Sequence, residues 1–222
     1  RPDPELANYS TLDEAARSQL FSYLSEGGAR NFASFIDACE AIVSGEDLPP
    51  SAVPLIRAGL YWPGASAPSV AWLRGTHFKP ERPTVAVTFY RALVQSGQTA
   101  PVDAMIEALD DAGLNALPVF VSSLKDEVSQ DVVRSVFGEV QPDVVINATG
   151  FAVSAPGGEA KGTVLEATGA PVLQAIFSTI GRPVWEASSQ GLNSRDLAMN
   201  VALPEVDGRV LTRAVSFKAA AR

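Results

Sequence analysis

From Pro83 onwards, short apolar runs rich in β-forming residues alternate with helical segments, and this alternation most constrains the fold. The predicted strands are Thr84–Tyr90, Ala116–Val121, Asp143–Asn147, Ala170–Phe177 and Arg209–Phe217, and the predicted helices are 99–113, 131–140 and 194–201. Strands separated by helices of this length pair in parallel through right-handed crossovers. The pattern therefore predicts an α/β domain with a flavodoxin-like, mostly parallel sheet flanked by helices.

The N-terminal segment has a helical pattern instead. Thr11 and Glu14 have the spacing of a capping box at the start of a first helix. Gly27 and the glycine after it end that helix, because glycine readily adopts the left-handed backbone of a helix end. A second helix follows, with an apolar stripe that runs from Phe32 to Val43 and is expected to face the interior.

The next segment, residues 47–82, is an irregular connector with six prolines. Tyr61 and Trp62 could stack on a flat ligand, but aromatic residues in a proline-rich connector more often anchor it to the adjacent domain. We therefore expect the connector to pack against the domain. The predicted parts of the chain are a helical segment at 1–46, the connector at 47–82 and the α/β domain at 83–222.

The composition excludes several classes of function. One cysteine and one histidine among 222 residues exclude an internal disulfide and a zinc site of His and Cys ligands. A formal net charge of −8 argues against nucleic acid as a partner, because binding phosphates requires a basic face. The apolar runs are all much shorter than the roughly 20 residues of a membrane-spanning helix, so no membrane span is expected.

Polar side chains lie at the predicted carboxyl ends of the strands, where open α/β sheets bind ligands. Tyr90 and Arg91 follow the first strand, and Asn147 and Thr149 follow the third. These groups could bind a carboxylate, an amide or a phosphate. The alternative is that Asn147 and Thr149 only satisfy backbone groups of a turn. Glu205 is a further candidate, because its apolar and small neighbours favour partial burial.

Other features carry weaker signals. Gly157, Gly158 and Gly162 do not form the glycine pattern of a nucleotide-binding loop. His77 lies in the polar part of the connector, which favours a solvated or partner-contacting residue over a general base. Cys39 lies on the apolar stripe of its helix and is expected to be a buried small hydrophobe.

Several longer blocks carry a family resemblance. They are residues 83–126, residues 142–152 (PDVVINATGFA), residues 185–218 and residues 23–32 (YLSEGGARNF). In this order they resemble the CobN/magnesium chelatase H-subunit family over nearly the whole chain. The sequences of residues 89–91 (FYR) and 202–208 (ALPEVDG) resemble the cobalt branch of the family more closely than the magnesium branch.

The resemblance implies a portion of the tetrapyrrole-binding large subunit of an ATP-dependent cobaltochelatase. That enzyme inserts Co²⁺ into hydrogenobyrinic acid a,c-diamide in aerobic cobalamin biosynthesis, in a cytoplasmic complex with two AAA+ subunits that use ATP and Mg²⁺. Large subunits of the family are several times longer than this chain, which has no initiator methionine, so we expect an internal portion of a multidomain subunit. We expect this portion to bind no cofactor and no metal, and to be inactive when isolated.

The resemblance assigns no catalytic residue here, but it does suggest contacts with the tetrapyrrole. The candidates, chosen by strand-end position and membership in the resembling blocks, are Tyr90, Arg91, Asn147, Thr149 and Glu205. Two other functions stay open. A magnesium chelatase H subunit, which acts on protoporphyrin IX, would carry the same blocks. A non-catalytic module that binds a small ligand would share only the α/β architecture.

Overall fold

The structure is a computed structural model that describes residues 4–154 and 162–219. Gly157 and Gly158, two of the glycines considered in the sequence analysis, lie outside these ranges. The chain divides into two compact units, one of residues 1–56 with 92–98 and one of residues 57–91 with 99–222. The domain limits taken from composition, at 46/47 and 82/83, stay predictions.

The described elements follow in chain order. The α-helices are α1 (Pro4–Ala7), α2 (Glu14–Glu26), α3 (Gly28–Ser44), α4 (Val70–Thr76), α5 (Arg91–Ser96), α6 (Ala100–Asp111), α7 (Glu127–Val140), α8 (Arg182–Ala187), α9 (Ser194–Leu197) and α10 (Leu203–Val206). The strands are β1 (Ala58–Leu60), β2 (Thr84–Tyr90), β3 (Asn115–Val121), β4 (Val144–Asn147), β5 (Val172–Phe177) and β6 (Val210–Ser216). A 3-10 turn covers Val164–Glu166 and a π-helical turn covers Ala198–Ala202.

In the first unit, α2 begins at a different cap from the one predicted. Asp13 is the N-cap residue, and its carboxylate accepts a hydrogen bond from the Ala16 backbone N–H at 2.8 Å. The predicted capping box of Thr11 and Glu14 is therefore wrong, because the carboxylate of Asp13 satisfies the first turn instead. Tyr23 of α2 is fully buried, and its hydroxyl donates to the Pro50 carbonyl at 2.7 Å.

Helix α3 buries a different face from the predicted apolar stripe. The buried residues of α3 are Asn31, Ala38 and Ala41. Ile36 and Val43 are exposed and Cys39 is half-buried, so the prediction of a fully buried Cys39 is wrong. Asn31 explains the orientation, because its side chain accepts from the Val53 N–H at 2.9 Å and donates to the Val53 carbonyl at 2.8 Å. That pair of hydrogen bonds requires the Asn31 face to turn inward.

The second unit is built on a six-stranded sheet with the order β1-β3-β2-β4-β5-β6. Strand β1 is antiparallel to β3, and the other four strand pairs are parallel. The predicted α/β class, with a mostly parallel sheet and flanking helices, is confirmed. Strand β1 lies in the predicted connector, because three residues are too few to show the alternation of a strand.

The register brings the carboxyl ends of the central strands to one edge of the sheet. Tyr90 at the end of β2 pairs with Val121 at the end of β3. Asn147 at the end of β4 pairs with Thr88 on one side and with Gln174 of β5 on the other. This edge is the place where parallel sheets of this kind bind ligands.

The apolar core lies around β2, β3 and α7. Strand β3 is buried at every position, and β2 is buried at every position except Tyr90. Leu117 and Val119 of β3 pack in one cluster with Phe137 of α7, and all three are fully inaccessible to solvent. Complete burial of such a side chain contributes about 1.5–3 kcal/mol.

Two predicted helices have different bounds in the structure. Helix α7 begins at Glu127, before the predicted residue 131, because Asp126 caps it. The helix predicted at 194–201 continues through the π-helical turn into α10. Pro204 of α10 has no backbone N–H, so the ordinary helical hydrogen bond is missing where the turn widens.

The connector aromatics anchor the chain, as expected. The Tyr61 hydroxyl donates to Asp103 Oδ1 at 2.7 Å, and its ring meets the ring of Phe89 edge-on, with 5.7 Å between centroids. Trp62 stacks on the exposed ring of His77, with 4.0 Å between centroids. Within residues 4–154 and 162–219, none of the helices combines the length and the apolar character that a membrane span needs.

Candidate functional site

A cavity of about 180 Å³ lies at the carboxyl edge of the sheet. Its lining residues are Tyr90 at the end of β2, Ser123 to Lys125 after β3, Gly150 to Val153 after β4, and Arg209 beside the start of β6. A second cavity, of about 290 Å³, lies beside Thr84 and Asn115 at the amino ends of β2 and β3. Because open α/β sheets bind ligands at their carboxyl ends, the first cavity is the candidate site.

A buried ion pair lies at this cavity. Arg209 Nη2 donates to Asp207 Oδ2 at 2.8 Å, and neither side chain is exposed to solvent. Burial lowers the pKa of Arg209, and the Asp207 carboxylate opposes that shift. Removing one partner of such a pair is costly, because the other charge is then left unpaired in a medium of low polarity.

Asp207 also fixes the segment that follows β4. Its Oδ2 accepts from the Val153 backbone N–H at 2.7 Å, and its Oδ1 accepts from that of Ser154 at 2.9 Å. One carboxylate thus orients two consecutive peptide groups and a guanidinium. The cavity wall at residues 150–153 is therefore held by Asp207.

Asn147 and Thr149 belong to a hydrogen-bond network that continues from this ion pair. Asn147 Nδ2 donates to the Gln174 side-chain oxygen at 2.8 Å and to the Thr149 carbonyl at 3.0 Å. The Thr149 hydroxyl donates to Asn147 Oδ1 at 2.9 Å. Gln174 Nε2 donates to the Thr149 carbonyl at 2.9 Å, and Arg209 Nη1 lies 3.4 Å from the Gln174 side-chain oxygen. These contacts match the turn interpretation of Asn147 and Thr149.

Tyr90 lines the cavity and connects β2 to the segment after β4. Its hydroxyl donates to the Gly150 carbonyl at 3.0 Å. Burial raises the pKa of Tyr90, while the nearby charge of Arg209 opposes that shift. Gly150 is tightly surrounded, since a Cβ at this position would lie 3.0 Å from the Met199 carbonyl oxygen. A side chain at residue 150 would require its surroundings to shift by a few tenths of an ångström.

Phe151 combines a strained backbone with an exposed aromatic ring. Its φ is +66°, and 54% of the residue is accessible to solvent. Its N–H donates to the Met199 carbonyl at 2.9 Å, and its carbonyl accepts from Arg209 at 3.3 Å. A bulky residue in this conformation costs about 1–3 kcal/mol and persists where its surroundings impose it. The exposed ring could stack on a flat ligand.

The structure places the five predicted residues in different settings. Tyr90 lines the cavity, whereas Asn147 and Thr149 are buried in the network beside it. Arg91 is the first residue of α5 and is half-buried. Glu205 lies in the first turn of α10 and is exposed, so the expected partial burial of Glu205 is wrong. The short helix α10 turns that side chain towards solvent.

Sequence reasoning missed three residues of the site. Gln174 interrupts the apolar run of β5, and a polar residue within a buried strand signals a buried partner. Asp207 and Arg209 flank a glycine in a segment that resembles an ordinary turn. In residues 4–154 and 162–219, no group of three or more His, Cys, Asp or Glu side chains is placed to hold a metal ion.

Comparisons with known proteins give a consistent result. The profile of the CobN/Magnesium Chelatase family matches residues 21–222. The chain is 55% identical, over 99% of its length, to the aerobic cobaltochelatase subunit CobN of a Sinorhizobium species, and covers 18% of that protein. It is 38% identical, over 98% of its length, to the same subunit of Pseudomonas aeruginosa, and covers 17% of it.

A solved structure agrees with these sequence relationships. The catalytic subunit of cobaltochelatase from Mycobacterium tuberculosis superimposes with a TM-score of 0.73 and 25% sequence identity. The match covers 96% of this chain and 18% of that one. The chain thus spans less than a fifth of the relatives that it matches. Because the family profile covers most of its length, the chain belongs to the CobN/magnesium chelatase family.

Proposed function

We propose that this chain is a portion of the large subunit of an ATP-dependent cobaltochelatase, which inserts Co²⁺ into hydrogenobyrinic acid a,c-diamide. The observation that carries the proposal is the 55% identity, over 99% of the chain, to a protein named as the CobN subunit of aerobic cobaltochelatase. The match covers 18% of the length of that relative. In this proposal, the steps of the reaction that this chain does not carry out belong to other segments of the subunit and to its partners.

In this proposal the chain supplies a wall of the tetrapyrrole site. Metal insertion requires that the ion lose water and that the pyrrole nitrogens lose protons, and carboxylates or imidazoles near the ring would assist both steps. The chain has a single histidine, His77, which is stacked on Trp62. Delivery of the metal and removal of the protons are therefore assigned to residues outside this chain.

The proposed substrate-binding residues are the five of the sequence analysis, of which Tyr90, Arg91 and Glu205 would contact the ligand and the other two would act indirectly. Tyr90 lines the cavity at the carboxyl edge of the sheet, and Arg91 follows it in the chain. Asn147 and Thr149 act through the network that supports the cavity wall, and Glu205 supplies an exposed carboxylate on α10. The proposed partners are the rest of the subunit and two AAA+ subunits, which hydrolyse ATP in the presence of Mg²⁺.

Ligand titration of the full-length subunit that carries this sequence tests the proposal. Hydrogenobyrinic acid a,c-diamide should bind more tightly than protoporphyrin IX, as measured by quenching of protein fluorescence. The Arg91→Ala subunit should bind the diamide about tenfold more weakly, as expected for loss of one charge-assisted contact. Arg134→Ala is the matched control, because Arg134 is exposed on α7 and pairs with Asp131 of the same helix.

Three outcomes would decide against parts of the proposal. Tighter binding of protoporphyrin IX would assign the chain to a magnesium chelatase. This alternative stays open because the matching family profile covers both enzymes. Failure to bind either macrocycle would remove the chelatase assignment. Equal affinities for the Arg91→Ala and Arg134→Ala subunits would remove Arg91 from the substrate site.

A further inference from the structure

Strand β6 is exposed to a degree that is unusual for a parallel strand. It pairs in parallel with β5 and is the last strand in the order of the sheet. Parallel strands are ordinarily covered on both faces, as β2 and β3 are in this sheet. Five of the seven residues of β6 are nevertheless exposed. Three of the five are apolar, namely Val210 (57% exposed), Leu211 (42%) and Val215 (51%).

The exposed apolar side chains lie on both faces of the sheet. Val210 pairs with Leu173, and Leu211 pairs with Gln174. Because successive side chains of a strand point to opposite faces, Val210 and Leu211 lie on different faces. A single element packed on one face would leave the other in water, so a complete cover has to reach around this edge of the sheet.

The opposite edge of the sheet differs from β6. It is formed by β1, which has three residues, two of them buried. Short or covered edge strands are among the ways in which proteins avoid unwanted association. Strand β6 is longer and exposes apolar side chains, a combination that marks an interaction surface or favours aggregation. The exposed residues of β6, termed the β6 surface, therefore indicate a binding partner.

The backbone of β6 is poorly suited to pairing with a further strand. Its register with β5 shifts twice, between the pairs of Gln174 and Ile176 and between those of Ile176 and Phe177. Such irregularities disturb the outer row of N–H and C=O groups and are a common protection of edge strands. We therefore expect the partner to pack on the two faces of β6 and not to extend the sheet.

The charge of the β6 surface indicates what the partner contains. Arg213 is exposed and forms no ion pair with any residue of 4–154 or 162–219. Covering a guanidinium without a carboxylate is costly, because the charge loses its hydration. A partner that fits this surface is apolar around Val210 and Leu211 and has an Asp or Glu side chain opposite Arg213.

A second copy of the chain does not have this composition. Residues 210–216 (VLTRAVS) include no acidic side chain. In a two-fold dimer the same surface faces itself, so β6 packed on β6 would leave Arg213 without a carboxylate. The chain covers only 18% of the CobN subunit of Sinorhizobium and 17% of that of Pseudomonas aeruginosa, so most of the length of these relatives lies outside the match.

We infer that a segment of the same large subunit, outside residues 1–222, encloses the β6 edge of the sheet. It covers both faces of β6 with apolar side chains and places a carboxylate beside Arg213. The inference rests on the proposed function only in taking the chain as a portion of a longer subunit. It does not depend on which metal or macrocycle that subunit handles.

Thiol labelling of the full-length subunit that carries this sequence tests the inference. Val210→Cys and Leu211→Cys each place a thiol on one face of β6, and Val128→Cys places one at a similarly exposed position of α7. Mass spectrometry measures the maleimide labelling rate of each variant, folded and unfolded in urea. Both β6 variants should react at least about a hundredfold more slowly when folded, because labelling requires local opening. Val128→Cys should stay within about tenfold of its unfolded rate.

A charge reversal tests the predicted carboxylate. Arg213→Glu should restore rapid labelling of Leu211→Cys, because two carboxylates would then face each other, whereas Arg213→Lys should keep the protection. Arg134→Glu is the matched control, since Arg134 is exposed on α7 and should leave the labelling unchanged. If the cysteine variants fail to fold, hydroxyl-radical oxidation of Val210 and Leu211 in the unsubstituted subunit, relative to Val128, measures the same protection.

Three results would overturn the inference. The first is rapid labelling of either β6 variant in the folded subunit, since both faces must be covered. The second is protection that is lost on dilution or appears only when another protein is added, since the cover would then be a second copy or a separate partner. The third is equal protection of Val128→Cys. Labelling needs neither metal nor macrocycle, so its outcome is independent of the titration that tests the chelatase assignment.

Discussion

The two lateral sides of the sheet, strands β2 and β3 on one and strands β5 and β6 on the other, are stabilised by different kinds of interaction. On the β2 and β3 side, the strands are buried along their length, and Leu117 and Val119 pack against the helix residue Phe137. On the β5 and β6 side, the buried side chains include Gln174 of β5 and Arg209 beside β6, which are joined by a hydrogen bond. The first side depends on apolar burial and the second on a polar network.

This difference determines how each side responds to change. Apolar packing is non-directional, so it tolerates substitutions that preserve volume. A buried polar network is directional, and each lost member leaves its partners without hydrogen bonds in a medium of low polarity. The candidate cavity is lined by Tyr90 from the first side and by Arg209 from the second. A ligand there would contact residues from both sides.

The largest expected effect comes from the buried ion pair. Asp207→Ala should lower the free energy of unfolding by about 3–5 kcal/mol, because Arg209 keeps its charge without a partner and two backbone N–H groups lose their acceptor. Urea denaturation followed by circular dichroism measures the change. Asp131→Ala is the matched control, since Asp131 forms an exposed pair on α7 and should cost less than about 1 kcal/mol. A similar small loss for both variants would contradict the view that the β6 side depends on its polar network.

The next-largest effect is a difference in the free energy of unfolding between substitutions of similar volume on the two sides. Gln174→Leu should cost about 1–3 kcal/mol, because Asn147 and Arg209 lose an acceptor and the Thr149 carbonyl loses a donor. Leu117→Met in the apolar cluster should cost less than about 1.5 kcal/mol. Urea denaturation of each single variant gives the two values.

A double-mutant cycle sharpens this comparison. If Asn147 and Gln174 act as one network, the cost of the Gln174→Leu and Asn147→Leu double variant should fall short of the sum of the single costs by about 0.5–3 kcal/mol. The same cycle between Gln174→Leu and Leu117→Met should be additive to within about 0.5 kcal/mol. Additive costs for Asn147 and Gln174 would mean that the two side chains are stabilised independently.

The apolar side of the sheet is also the part that sequence patterns predict best. The run TVAVTFY at Thr84–Tyr90 is rich in β-branched and aromatic residues, and it forms β2 with the same bounds. Such a run predicts a buried strand because its local propensity and its burial favour the same structure. The parallel order follows from the helices between the strands.

The polar side was predicted less well, for a physical reason. Tyr90 was predicted from its position at a strand end, and it does line the cavity. Gln174 and Arg209 are brought together by the pairing of β5 with β6, a contact between residues far apart in the chain. No local pattern encodes that contact, so neither residue was predicted, although a glutamine within an apolar strand was a usable signal.

A further prediction concerns the strained backbone on the polar side. Phe151→Asn should raise the free energy of unfolding by about 0.5–1 kcal/mol, because asparagine adopts the left-handed backbone region more readily than phenylalanine. Phe151→Ala is the control, since alanine removes the same exposed ring without relieving the backbone. Thermal unfolding of both variants measures the difference. If the asparagine variant is no more stable than the alanine variant, the strain at residue 151 is too small to matter.

The smallest expected effect is on the pH dependence of the free energy of unfolding. It is compared between one tyrosine on each side of the sheet. Burial raises the pKa of Tyr61 to about 12, and its hydroxyl donates to Asp103. Between about pH 10 and pH 12, a tyrosine in the unfolded chain ionises while Tyr61 in the folded chain keeps its proton, so the free energy of unfolding falls as pH rises. Tyr61→Phe should therefore flatten this fall, as measured by urea denaturation across the same pH range.

The corresponding change on the polar side should be smaller. Burial also raises the pKa of Tyr90, but the charge of Arg209 opposes the shift, so folded and unfolded chains differ less in the protons that they bind. Tyr90→Phe should therefore flatten the fall in stability less than Tyr61→Phe does. An equal or larger effect at Tyr90 would mean that Arg209 does not favour the ionised tyrosine, and that the charge of this guanidinium is already compensated within the network.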